Sequence, residues 1–419
     1  MKRIWLLIFV CFSFVAFGQQ YLYYTYFPTD LNNQDWKITS HEFYNTHNNS
    51  NYLTNEFAKA IDKSSYLSEE FKKKQIDLLK GSTKAGRTSA LGYGIWLKKK
   101  DQPNKPFYYM GFDLQQVLDA AIDPNLIKIL LNGNSPYAGE ELSISNSNYL
   151  NVYFNRLKFG MGKTFIKGDY KHTLSGIIGF TVGQNYNHTE VTQGSFYTET
   201  NGDYLNIDIQ AQMQMSDSAW GTIFSVNGLG ASLDLHYSIY KDNDFLLSIN
   251  VNNLGFINWH KKPYQASTNT SYRFEGFNND TIGGDQIPDD FTYDNLRNLV
   301  FKNPDGSAFS EMLPFDINLS AGKYLNDARF YIGFSANYYP NLSNAFRTEV
   351  FATWNIKNSF RLTPIISYSS FNKINAGLAI DFQLWKALSI RGGSAYLNTL
   401  FNPEAPLGQG AFISIIFRK

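Results

Sequence analysis

The sequence predicts an all-β fold, an antiparallel transmembrane β-barrel of about 14 strands with small helical inserts. Three observations point there. Runs of about eleven residues alternate apolar and polar side chains, close to the roughly 9–11 residues of a tilted membrane strand. Aromatic residues make up 16% of the chain although its mean hydropathy is only −0.31, so apolar and polar residues must interleave. Beyond the first residues no apolar run reaches spanning length, which leaves the barrel as the structure that satisfies its backbone in lipid.

The alternation is explicit in four segments, because a strand sends successive side chains to opposite faces. From 374 to 384, Ile374, Ala376, Leu378, Ile380, Phe382 and Leu384 oppose Asn375, Gly377, Ala379, Asp381 and Gln383. From 205 to 215, Leu205, Ile207, Ile209, Ala211, Met213 and Met215 oppose Asn206, Asp208, Gln210, Gln212 and Gln214. Segments 328–338 and 229–239 repeat the pattern, the latter with Asp234 and His236 on its polar face. Further candidates lie near 88–99, 105–113, 148–160, 171–183, 187–198, 245–254, 266–277, 314–325, 346–356, 359–371, 388–397 and 408–418. Short polar stretches such as Lys167-Gly168-Asp169 and Lys241-Asp242-Asn243-Asp244 suit the hairpins of a meander.

In chain order, Met1-Lys2-Arg3, the apolar run Ile4–Phe17 and small residues at Ala16 and Gly18 read as a signal peptide over 1–18. Its removal takes away Cys11, the single cysteine, so no disulfide or thiolate site is expected. It also takes Lys2 and Arg3 from the 37 basic residues, leaving 35 against 36 acidic. That balance gives no basic surface for nucleic acid.

Residues 19–85 are an N-terminal segment with a helix, a candidate plug. Ser68-Glu69-Glu70-Phe71 reads as an N-cap with an acidic first turn, and Gly81 follows the helix. Residues 86–419 are the barrel. They carry a helical insert near 114–131, broken at Asp123-Pro124, and a long polar loop near 278–313 with a short helix around 293–301. The helices fit equally a lumenal plug, a periplasmic cap or packing on the rim. The last strand ends its apolar face on Phe417, which resembles the terminal aromatic recognised by barrel assembly machinery.

Catalytic and metal motifs are missing. The six histidines form no ligand pattern, and neither a nucleophile elbow nor a phosphate loop occurs. No enzyme activity, cofactor or metal is expected. The polar-face groups Asp208, Asp234, His236, Arg347, Glu349 and Asp381 are the candidate lumen-facing residues, serving either as a permeation field or as pairs that fill the interior. Asp217-Ser218-Ala219 and Asp280-Thr281-Ile282 match a short O-glycan attachment pattern.

Leu131-Asn132-Gly133-Asn134-Ser135-Pro136-Tyr137-Ala138-Gly139-Glu140, and Leu254-Gly255-Phe256-Ile257-Asn258-Trp259 after an alternating strand, carry a resemblance. The chain resembles a family of uncharacterised outer-membrane barrels from Bacteroidota, similar in pattern to fatty-acid-transporter-type barrels. The resemblance implies an outer-membrane location, a lipid environment, a plugged barrel, and porin-like passive transport or binding of a small hydrophobic or amphipathic ligand. The alternative is a non-transporting envelope protein that docks partners in secretion or surface attachment. A continuous apolar pocket would favour the first, and a lumen filled by paired charges the second.

Overall fold

The computed structural model describes residues 38–419 except 64–65, 100–104, 217–223, 243, 276–296, 298–299, 302–303, 327–328, 344–345, 358 and 372–373. The signal peptide, both glycan patterns and most of the 278–313 loop with its helix fall outside the described residues. In chain order the strands are β1 (Ile38–Thr54), β2 (Thr83–Leu97), β3 (Phe107–Ile122), β4 (Glu141–Ser143), β5 (Ser147–Lys167), β6 (Tyr170–Thr198), β7 (Leu205–Met215), β8 (Gly228–Lys241) and β9 (Phe245–Trp259). They continue with β10 (Tyr264–Phe274), β11 (Phe309–Met312), β12 (Asp316–Leu325), β13 (Phe330–Tyr338), β14 (Phe346–Lys357), β15 (Phe360–Ser369), β16 (Asn375–Trp385), β17 (Leu388–Ser394) and β18 (Pro406–Arg418).

All but β4, β7, β10 and β11 form the wall, each antiparallel to the next, and β18 pairs back onto β1. The result is a closed barrel of 14 strands, as the alternation predicts. Closure removes the outer edges of the sheet, although β1 and β2 are bridged only at Ile38–Leu97 and Ser50–Ala85. One end carries short connections, such as the turn between Lys167 and Tyr170 where Gly168 takes φ 61°. The other carries the long ones, with helices α1 (Asn55–Asp62), α2 (Glu69–Asp77), α3 (Pro124–Asn132) and α4 (Leu397–Leu400).

Three sequence expectations are corrected. β1 lies within what reads as a helical N-terminal segment, because its inner face (His41, Asn45, His47, Asn49) and its outer face (Ser40, Glu42, Tyr44, Thr46) are both largely polar. Pairing to β18 over Thr39–Asn49 makes it a strand where its own pattern does not. Residues 114–122 are strand rather than helix, held by β2 on one edge and β5 on the other. The helix begins at Pro124, with the Asp123 carboxylate accepting from Asn125 N at 2.8 Å. The candidates at 171–183 and 187–198 are one strand of 29 residues, β6, which outgrows the barrel.

α2 forms where the cap signature places it, with Ser68 Oγ accepting from Phe71 N at 3.2 Å. It packs Phe71 against Phe57 of α1, ring centroids 6.4 Å apart. Its buried Gln75 accepts from Thr54 N and Thr54 Oγ1 and donates to Tyr52 O, which fastens the helix to the end of β1. Lys74 and Glu404 add a tie to the β17–β18 connection at 2.6 Å.

The outer surface of the wall is apolar. Phe334, Val350, Ile366, Ile380, Ile415 and Phe417 are each 39–62% exposed, a pattern that water would penalise and lipid would not. On the inner face aromatic rings reach over glycines of the neighbouring strand. A Cβ on Gly333 would stand 2.3 Å from the Phe351 ring, and one on Gly322 would stand 2.3 Å from that of Tyr331. Both rings belong to an inner cluster with Ile365, Ala379 and Phe412. Gly333→Val is therefore expected to lower stability by about 1–3 kcal/mol, as overpacking does elsewhere. Urea unfolding of the refolded barrel checks this; an unchanged midpoint would show that the ring moves aside freely.

Above the long-loop end, the distal half of β6 continues into a separate sheet with β7 and β10, edged by β4. One face packs Ala211, Met213 and Met215 against Phe301, while the other exposes Asp208, Gln210 and Gln212.

Candidate functional site

The lumen is crossed by side chains rather than left open. The first group joins three strands. Arg156 of β5 forms a bidentate pair with Asp113 of β3 at 2.9 and 2.7 Å and also bonds Asp234 of β8 at 2.9 Å. Lys158 reaches Asp113 at 2.7 Å. Arg156 gets from β5 to β8 by passing over β6 where Gly179 presents no side chain. A bulge in β9 at Asn252 and Asn253, the latter at φ 61°, completes the cluster. Asn253 N donates to Asp234 at 2.8 Å, its amide donates to Gln115 of β3 at 3.1 Å, and Asn252 donates to Asp316 at 2.9 Å. These charges are almost fully buried, so the fork geometry and the extra donors must offset their desolvation.

The second group spans from β14 to β1. Arg347 donates to Tyr396 Oη at 2.5 Å and pairs with Glu349, two residues along the same inner face. Tyr396, in the β17–β18 connection, stands 2.7 Å from His47 Nε2 of β1. The third group, Arg361, Asp381 and Arg391 with Arg418 close by, lies toward the short-turn end on β15 to β18.

A strap closes the long-loop mouth. The connection after β13 carries Leu342 into the apolar cluster of Val117, Val152, Phe154 and Trp259. Ser343 N donates to Asp119 of β3 at 2.7 Å and Ser343 O accepts from Lys84 of β2 at 3.1 Å, on the wall diametrically opposite the strap's origin. Asn341 bonds Leu313 O at 2.9 Å. Beneath the strap is a cavity of about 70 Å³ whose lining includes Asn45, Gln115, Asn253, Asp316, Tyr339 and Leu342. That is far below the roughly 300–1,000 Å³ of a pocket for a drug-sized ligand.

Of the candidate lumen residues, the structure places Asp234, Arg347, Glu349 and Asp381 inside, buried and ion-paired. His236 is also on the inner face, bonded to Asn250 at 2.5 Å and Ser238 at 3.2 Å. Asp208 is corrected: it sits exposed on β7, outside the wall, because alternation reports two faces without saying which sheet a strand joins. Phe417 lies on the outer face, 45% exposed, while Arg418 turns inward. Sequence reading missed Asp113, Arg156, Lys158, Arg361 and Arg391. Their signal was present, since Tyr109, Gly111 and Asp113 alternate with Met110, Phe112 and Leu114. Among the described residues no group of three His, Cys, Asp or Glu converges on a metal-sized site.

A model described as "Family of unknown function (DUF5723)" matches residues 37–388. No curated protein matches the chain. Among solved structures, the chain is similar to the Pseudomonas putida toluene transporter TodX, with 8% identity over 96% of this chain and 93% of that one and a TM-score of 0.41. It is similar to the Ralstonia pickettii toluene transporter TbuX, with 6% identity over 92% and 90% and a TM-score of 0.41. A Pseudomonas aeruginosa FadL homologue is 10% identical over 92% and 90%, with a TM-score of 0.38.

Proposed function

We propose, from the premise that this chain belongs to the DUF5723 family of unknown function, that it is an outer-membrane barrel sealed in its resting state and serving as a docking platform. The observation that carries this reading is the Arg347 group, which ties β14 to β1 across the lumen, with the Arg156 group and the strap closing other levels. A sealed wall of this kind separates anchoring from passage. The surface offered to a partner is the exposed polar face of β7 and β10, held above the long-loop end.

Reconstitution in liposomes tests the seal. The expected result is no solute swelling and no fatty-acid uptake, together with a stoichiometric cross-link from a photoreactive residue at Gln212 in whole cells. Swelling at porin-like rates would overturn it.

A second reading, passage or binding of a small amphipathic ligand, has one observation in its favour. Ser343 is held by hydrogen bonds rather than ion pairs, and a cavity lies beneath it. Asp119→Ala removes the strap's shortest tie. Under this reading the variant takes up a fluorescent fatty acid at least several-fold faster than the parent; equal rates would discard it.

A further inference from the structure

The inner acids of the barrel differ in what they face. Asp113, Asp234, Glu349 and Asp381 each have a cation within ion-pair distance. Asp316, at the start of β12, is also buried, at 7% exposure. Its carboxylate accepts from the Asn252 amide at 2.9 Å and, among the described residues, meets no cation. Burying a charge in this way is expensive unless a counter-charge reaches it.

Asp316 lines the cavity beneath the strap. So does Asn45, across the lumen on β1, which is 4% exposed and whose Nδ2 finds no hydrogen-bond partner among the described residues. Ala90, Val117 and Leu342 make part of the remaining wall apolar. One buried carboxylate and one buried donor thus face a common space between apolar side chains. The strap residues Tyr339 and Leu342 also line it, so the site faces the long-loop mouth.

We propose that this cavity binds a small amino alcohol, with its ammonium on the Asp316 carboxylate and its hydroxyl accepting from Asn45. An ammonium brings three N–H donors to a single carboxylate, and its short stem lies against the apolar wall. A calcium ion would call on about six to eight oxygens, and among the described residues no three His, Cys, Asp or Glu converge on a metal-sized site. A water takes up about 10–15 Å³ of such a space. The 70 Å³ cavity therefore suits an organic ion of about four or five heavy atoms and excludes a phosphate-bearing lipid headgroup. Such a site operates whether the barrel docks partners or passes solutes.

Titration calorimetry on the detergent-purified full-length barrel tests this with ethanolamine, ethylamine, ethylene glycol and sodium ion at matched ionic strength. Ethanolamine is expected to bind saturably, ethylamine several-fold more weakly, and ethylene glycol not at all. Asp316→Asn is expected to weaken ethanolamine binding by about tenfold or more, the worth of one charge-assisted hydrogen bond. Asn45→Ala is expected to lower the affinity for ethanolamine to that for ethylamine and to leave ethylamine unchanged. A merely structural role would not produce so selective a loss. No response to ethanolamine, with or without a response to sodium, overturns the proposal, as does equal binding of ethylene glycol. So does Asp316→Asn without loss of affinity; if that variant does not fold, Asn45→Ala with equal losses for both amines overturns it alone.

Discussion

Arg156→Ala is expected to lower the stability of the folded barrel by about 3 kcal/mol or more, the scale seen when one partner of a buried ion pair is removed. The substitution strands two carboxylates at once. Asp113 loses its bidentate partner and keeps Lys158 at 2.7 Å, while Asp234 keeps the Asn253 backbone N–H at 2.8 Å and Lys158 only at 3.7 Å. Urea unfolding in liposomes, followed by tryptophan fluorescence, measures the change. Arg156→Met with Asp113→Asn and Asp234→Asn discriminates its cause: neutralising the whole group recovers much of the loss if uncompensated charge is responsible. A single variant within about 0.5 kcal/mol of the parent, the range of an ordinary surface change, would show that water or Lys158 replaces the guanidinium.

Arg347→Ala is expected to have the largest effect on permeation. It severs the link from β14 to Tyr396 and His47 and leaves Glu349, 1% exposed, without its charge partner. A stability loss of about 3 kcal/mol follows from the stranded carboxylate. Single-channel recording in planar bilayers should then show openings that the parent lacks. Arg347→Ala with Glu349→Gln separates the two consequences, since it restores charge balance without restoring the bridge. Stability should rise again while conduction persists. A variant that loses stability and still conducts nothing would mark this group as packing alone, with the strap as the effective seal.

Most of the wall was legible because its code is local. In β16, Ile380 and Phe382 face outward while Ala379 and Asp381 face inward, and the eleven-residue run shows this without any partner strand. β1 was illegible for the same reason. With Ser40 and Glu42 outside and His41 and Asn45 inside it has no apolar face, and only the β18 ladder identifies it. Asp208 and Asp234 illustrate the remaining difficulty. Both stand on the polar side of an alternating strand, yet one is exposed above the barrel and the other is locked against Arg156.

The sequence by itself determined the strand periodicity, the α2 cap at Ser68 and the two-faced character that separates lipid from interior. Each depends on residues within one turn or one strand of each other. The tertiary structure decided which strands close the ring, which polar faces share a lumen, and that Arg347 meets His47 and Ser343 meets Asp119 across it. Those contacts join residues roughly 200 to 300 apart in the chain, and the register and closure of the sheet set them rather than any local pattern.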